Sequence, residues 1–178
     1  MTSLAVPHTR FHASWLAGTS EFDGAHLDGA GLAEDYSLDA LRAAEPFRQF
    51  VDALVADALP ATKRPAGYVP CTYRWIVDGE TFLGSLAIRH ELNDFLLEEG
   101  GHIGYSVRPS ARRRGHARQA LSQALPLARG HGMERVLITC DEDNIGSRAT
   151  IEGNGGIWED SRNGKRRYWI DLAASTAA

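Results

Sequence analysis

The run Gly104–Leu121, GYSVRPSARRRGHARQAL, sets Arg112, Arg113 and Arg114 directly against Gly115, His116 and Ala117, ahead of an apolar-spaced segment. A strand pattern (IGYSV) passes through a short loop (RPSARRRG) into a helix pattern. Such a junction presents the helix's first unpaired N–H groups and the positive end of its dipole, which together bind anions. Gly115 lets the backbone approach a phosphate closely, the small Ala117 keeps a side chain out of the way, and the arginines add local positive charge. The sequence is neither GxxxxGK(S/T) nor GxGxxG, so the nucleoside-triphosphate loop and the dinucleotide fingerprint are both missing.

The elements that hold this junction follow from periodicity. Residues 10–25 and 37–59 carry apolar residues at three- and four-residue intervals and read as helices, the second with Ser37 as N-cap; Gly/Asp-rich and Pro-rich loops follow them. From residue 68 the chain alternates, and Asp78-Gly79 marks a hairpin turn between two strand-like runs. Then come a strand at 102–108, the helix GHARQALSQALPLARG, the strand RVLITC, the helix SRATIEGNG, and two closing strands around Asn163-Gly164. The pattern predicts an α/β fold with a mixed, mostly antiparallel sheet and helices on both faces. The 178 residues suit one domain: an N-terminal helical part over 1–67, a core over 68–171 and a tail over 172–178 expected to fray.

Composition narrows the chemistry. Hydrophobic residues at 43% and charged residues at 24% belong to a globular chain rather than a disordered one. A net charge of -4 argues against bulk binding to nucleic acid, which depends on many cations neutralising phosphates. Cys71 and Cys140 lie far apart, with no CxxC spacing, and read as reduced, buried thiols. No stretch is long and apolar enough for a membrane span or a signal peptide, so the expected location is cytoplasmic.

Arg112-x-x-Gly115-x-Ala117 matches the (Q/R)xxGx(G/A) signature of the GNAT superfamily of N-acetyltransferases. Its companions sharpen the match: VRP before it, LITCDEDNIGS after the next strand, and IEGNGG closing the following helix. The block IRHELNDFLLEEGGHIGYSVRPSARRRGHA resembles an uncharacterised branch of that superfamily, and the resemblance covers residues 68–160 most closely.

The resemblance implies a GNAT fold whose strand at 102–108 splays from the strand at 135–140, so that an acyl-pantetheine arm lies in the wedge and meets unpaired backbone groups. It assigns the backbone around Ser106 and Val107 to the pantetheine and thioester, the loop Arg112–Ala117 to the pyrophosphate, and Asn144 and Ser147 to the pantetheine and the far end of the cofactor. The co-substrate implied is acetyl-CoA, and the acceptor is an amine of a small molecule or peptide attacking directly in a ternary complex. Homodimerisation, common among relatives, would use edge strands near the C-terminus.

A protonated amine needs a base. The candidates are His90, Glu91, Glu98, Glu99 and His102, led by Glu91 and His102 because they flank a strand pair expected to border the cleft. The family often places a tyrosine seven positions after the asparagine to protonate the leaving thiolate; here that position is Ile151, which leaves the acid open between water, Ser147, a tyrosine elsewhere such as Tyr168, and no acid at all for a thiol that leaves readily as an anion. The same departure keeps a second reading in view, a module that senses acyl-CoA without turnover. His8 and His12 read as chance spacing rather than a metal pair, Asp141-Glu142-Asp143 as a polar strand end, and Trp75, Trp158 and Trp169 as core.

Overall fold

The computed structural model describes residues 1–32 and 36–172; the tail expected to fray lies, from residue 173 on, outside the described residues, as does part of the loop read between the first two helices. The hairpin forms as the turn signal predicts: β2 (Cys71–Asp78) and β3 (Thr81–Arg89) pair antiparallel, with Gly79 at φ 57° in the two-residue connection. A short strand that the sequence reading did not anticipate, β1 (Thr2–Ala5), pairs with the outer edge of β2 from Thr2↔Asp78 to Ala5↔Trp75. Four residues are too few to show alternation, so only the pairing defines it.

The helical readings are corrected at their ends. The first covers a 3-10 turn at Thr9–Phe11 and α1 (His12–Ser20), and then stops. In the second, the Ser37 hydroxyl accepts from the Ala40 N–H at 3.1 Å, but Ser37 caps no helix: only a 3-10 turn, Ala40–Arg42, follows, with Asp39 at its N-cap position. The chain extends at Ala43 (ψ 140°) before α2 (Ala44–Ala56) begins. Pro46 explains the break: in a continuous helix its ring would meet the Arg42 carbonyl, whereas in the first turn of a new helix its missing N–H costs nothing.

The remaining strands and α-helices are β4 (Ile103–Val107), α3 (His116–Gly130), β5 (Arg135–Asp141), α4 (Ile145–Glu152), β6 (Ile157–Arg162) and β7 (Lys165–Asp171), with a π-helical turn at Leu96–Gly100 before β4 and a 3-10 turn at Pro109–Ala111 after it. They complete two antiparallel sheets, ordered β1-β2-β3-β4 and β5-β7-β6. The two faces of the β2–β3 hairpin feed separate cores. Trp75, Val77 and Phe82 pack with Phe11, Trp15, Phe47 and Phe50 of the N-terminal helices, while Ile76, Leu83, Leu86 and Ile88 pack with α3, β5 and Tyr168. Helices therefore cover both faces. Of the tryptophans expected in the core, Trp75 is there, but Trp158 is 52% exposed on the edge strand β6, under the Arg166 guanidinium.

Candidate functional site

The two sheets meet at one point. His102, just before β4, donates its N–H to the Leu137 carbonyl at 2.7 Å, and its ring Nδ1 accepts the Leu137 N–H at 2.8 Å. Beyond that clamp no ladder joins β4 to β5 among the described residues. The register of β4 on β3 decides which groups face the gap. Arg89 N–H to His102 C=O and Arg108 N–H to Leu83 C=O fix the alternation, so the backbones of Gly104 and Ser106 pair with β3. Those of Ile103, Tyr105 and Val107 point to β5. The sequence reading named Ser106 and Val107 for the wedge; by this geometry Val107 faces it and Ser106 does not, Tyr105 taking its place. The Ser106 carbonyl instead lies so close to Gly84 that a Cβ there would run into it, and the Ser106 hydroxyl is buried without a partner.

At the open end of the wedge stand the N-termini of α3 and α4. Gly115, at φ 80° with open space where a Cβ would be, leads into α3. The first helix-type bond there is Gln119 N–H to Gly115 C=O, leaving N–H groups of the 113–117 stretch available to an anion. Arg113 takes a left-handed conformation (φ 60°), and Arg113 and Arg114 are exposed.

Arg112 is committed differently. Its Nε donates to the Val107 carbonyl at 3.0 Å and its guanidinium lies 5.7 Å from the Phe22 ring centre. His116 also points away, with Nδ1 2.8 Å from the Thr2 hydroxyl, so it ties β1 to the start of α3 and offers the site its backbone. Ala117 follows on the first turn of the helix. Across the gap, Asn144 caps α4 by accepting the Ser147 N–H at 3.0 Å, and the Ser147 hydroxyl lies 2.8 Å from the Tyr105 hydroxyl.

Glu21, just past α1, holds the loop in place. It accepts from Arg108 Nε at 2.9 Å and from both the backbone N–H and the hydroxyl of Ser110 at 2.9 Å. The Arg108 hydrogen bonds are the main reason its carboxyl sits at about 2. Nothing in the sequence marks Glu21, because its partners lie more than eighty residues away. The loop after α1 also reaches β4: Gly29, at φ 74°, would put a Cβ 2.5 Å from the Gly104 carbonyl oxygen.

The base candidates separate by what they already bind. Burial, helped by nearby Arg89, lowers His102 to about 4, and its Nδ1 lone pair is taken by Leu137; the neutral ring carries its proton on Nε2 and serves as the clamp. His90 stacks on His131 at 3.9 Å, and both Nε2 atoms meet the Thr72 hydroxyl, at 2.8 and 3.0 Å. Glu98 binds Arg162 at 2.7 Å and Glu99 binds the Asn163 amide at 3.1 Å, so both brace the β6–β7 hairpin. Glu91 is exposed on the loop after β3.

The other sequence features find local roles. His8 caps the Thr9–Phe11 turn through Arg10 N–H, while His12 bonds the Leu41 carbonyl and stacks on Phe47. Asp141 pairs with Lys165. No group of three or more His, Cys, Asp or Glu that could hold a metal ion occurs among the described residues, and no described helix is long and apolar enough to cross a membrane.

A sheet opened between β4 and β5, with helix N-termini at its mouth, is the arrangement that the sequence resemblance implied. A family model described as an acetyltransferase (GNAT) domain matches residues 34–157, and the chain belongs to that acetyltransferase family. No curated protein matches the chain. Solved structures share the fold. Mycobacterium smegmatis RimJ in complex with CoA-disulfide is 21% identical, with a TM-score of 0.64 over 96% of this chain and 87% of its own. The ribosomal-protein-S5-alanine acetyltransferase of Vibrio fischeri is 14% identical, with a TM-score of 0.66 over 97% and 94%. The microcin C7 self-immunity acetyltransferase MccE, solved with acetyl-CoA and AMP, is 15% identical, with a TM-score of 0.62 over 96% and 92%.

Proposed function

We propose that the chain binds acetyl-CoA in the β4–β5 wedge and transfers the acetyl group to an amine of a protein or small molecule by direct attack in a ternary complex. The observation that carries this reading is the unpaired β4 edge running from the His102 clamp to the free N–H groups of the 113–117 loop. A diphosphate fits that loop because Gly115 leaves its approach open and Arg113 and Arg114 have no competing ion pair among the described residues. The Tyr105 and Val107 N–H groups then face the arm that lies between the strands, where a donor stabilises charge building on the thioester oxygen.

Neither cysteine is used as a nucleophile in this scheme. Burial pushes Cys71 up to about 12 and raises Cys140 as well, so neither is an activated thiolate. Of the two leading bases, His102 has no free lone pair at Nδ1, and the role falls to Glu91, acting directly or through water. Relatives acetylating ribosomal proteins support a peptide amine as one acceptor class.

The test is amine-dependent release of free thiol from acetyl-CoA across a panel of peptide N-termini and small amines. At least one acceptor should turn over, and Glu91→Gln should lower kcat by about a hundredfold with acetyl-CoA affinity unchanged. Full activity in Glu91→Gln would remove it as the base. Tight acetyl-CoA binding with no turnover of any amine would favour the sensing module.

A further inference from the structure

Moving an acetyl group out of a thioester expels a thiolate, and what stands beside the sulfur sets how readily it leaves. Ile151 cannot help, because its side chain is fully buried in the core and pressed against Gly156. The Tyr168 hydroxyl is occupied as well. It accepts from Arg166 Nε at 2.9 Å, donates to Glu152 at 3.2 Å, and belongs to a residue with no exposed surface.

Tyr105 is placed differently. Its backbone faces the gap between β4 and β5, and its side chain packs beside the α3–α4 core and reaches α4. The phenol oxygen lies 2.8 Å from the Ser147 hydroxyl and 3.4 Å from the Ser147 carbonyl. The Tyr105 phenol thus reaches from β4 to the first turn of α4, which follows β5, the strand on the far side of the splay.

We infer that the Tyr105 hydroxyl is the hydrogen-bond donor that meets the negative charge developing on the coenzyme A sulfur, an assignment that rests on the acetyl-transfer reading above. In this step the acceptor nitrogen's lone pair forms the C–N bond as the C–S bond breaks and its electron pair passes to sulfur. The nitrogen's proton goes to the base. The Tyr105 O–H turns from Ser147 to the sulfur and keeps its proton, and the thiolate is protonated by solvent on release. Burial raises the phenol above its ordinary pKa, so it stays a donor through neutral and mildly alkaline pH.

The direct readout is the pKa of the CoA thiol while bound, followed by the ultraviolet absorbance of its thiolate during pH titration of the complex. A donor at the sulfur lowers that pKa, so Tyr105→Phe should raise it by about one unit or more, with CoA affinity within about twofold of wild type. Its kcat should fall about ten- to a hundredfold. An unchanged bound-thiol pKa in Tyr105→Phe overturns the assignment while leaving the acetyl-CoA site intact. Failure of the wild-type protein to bind CoA instead overturns the site reading, and this assignment with it, whereas loss of CoA binding in Tyr105→Phe alone makes Tyr105 a binding residue and overturns only the assignment. Should Tyr105→Phe not fold, Ser147→Ala decides: a bound-thiol pKa at or below the wild-type value supports Tyr105, and a rise transfers the donor role to Ser147 and overturns it.

Discussion

Reversing the charge of Arg113 and Arg114 together, to glutamate, weakens acetyl-CoA binding by about a hundredfold, equivalent to about 2.7 kcal/mol. Both side chains are exposed at the mouth of α3, beside backbone N–H groups left free by the left-handed turn through Arg113 and Gly115. Arg112 and Arg108 are spent on the Val107 carbonyl and on Glu21, so the phosphates must draw on the pair that remains. Two carboxylates in their place would repel a diphosphate and cancel the positive potential that the helix N-terminus offers it. The melting temperature without ligand should hardly move, because neither arginine braces the fold. Wild-type affinity should also fall as salt rises, and the variant's should not. Calorimetric titration of both proteins at two ionic strengths checks this; equal affinities would send the arginines back to a solvated surface.

The second large effect is on acid stability, through His102. Its folded pKa is about 4 against an ordinary value of 6.5, because burial and Arg89 disfavour the charged ring. Between those values the unfolded chain binds a proton that the folded chain does not. Stability from this residue is therefore complete above pH about 6.5, drains away as pH falls toward about 4, and levels off below, for a total on the order of 3 kcal/mol. His102→Asn keeps an acceptor at the Nδ1 position without the titration. Subtracting its pH–stability curve from the wild-type curve should isolate the loss in that window. His102→Leu orphans the buried Leu137 N–H and should cost about 1–3 kcal/mol at every pH. Parallel wild-type and His102→Asn curves would remove His102 as the clamp.

How far the sequence could be read depended on the range of each interaction. The hairpin at Asp78-Gly79, the helix opening at Gly115 and the alternating strands were legible because their signals lie within a few residues. The break at Ala43 was legible in principle from Pro46, but helical periodicity masked it. Arg112 and His116 sit inside the recognised motif, yet their side chains answer to Val107, Phe22 and Thr2, and no local pattern reveals that. The partners of His102 and Tyr105 stayed hidden for the same reason, since Leu137 and Ser147 arrive only when β5 and α4 come alongside β4. Which backbones face the gap was legible in principle from strand alternation: the register that turns Ser106 toward β3 turns Tyr105 and Val107 toward the gap.

In the proposed function, acetyl-CoA lies along the unpaired edge of β4 with its phosphates on the loop that opens α3. Amide hydrogen exchange resolved to single residues, with and without acetyl-CoA, reads that edge directly. Binding there slows exchange markedly at Tyr105, Val107 and the 113–117 amides, while amides of Gly104 and Ser106, already bonded to β3, change little. Unchanged exchange along β4 and the loop, or protection confined to another surface such as the outer face of α2, would contradict it.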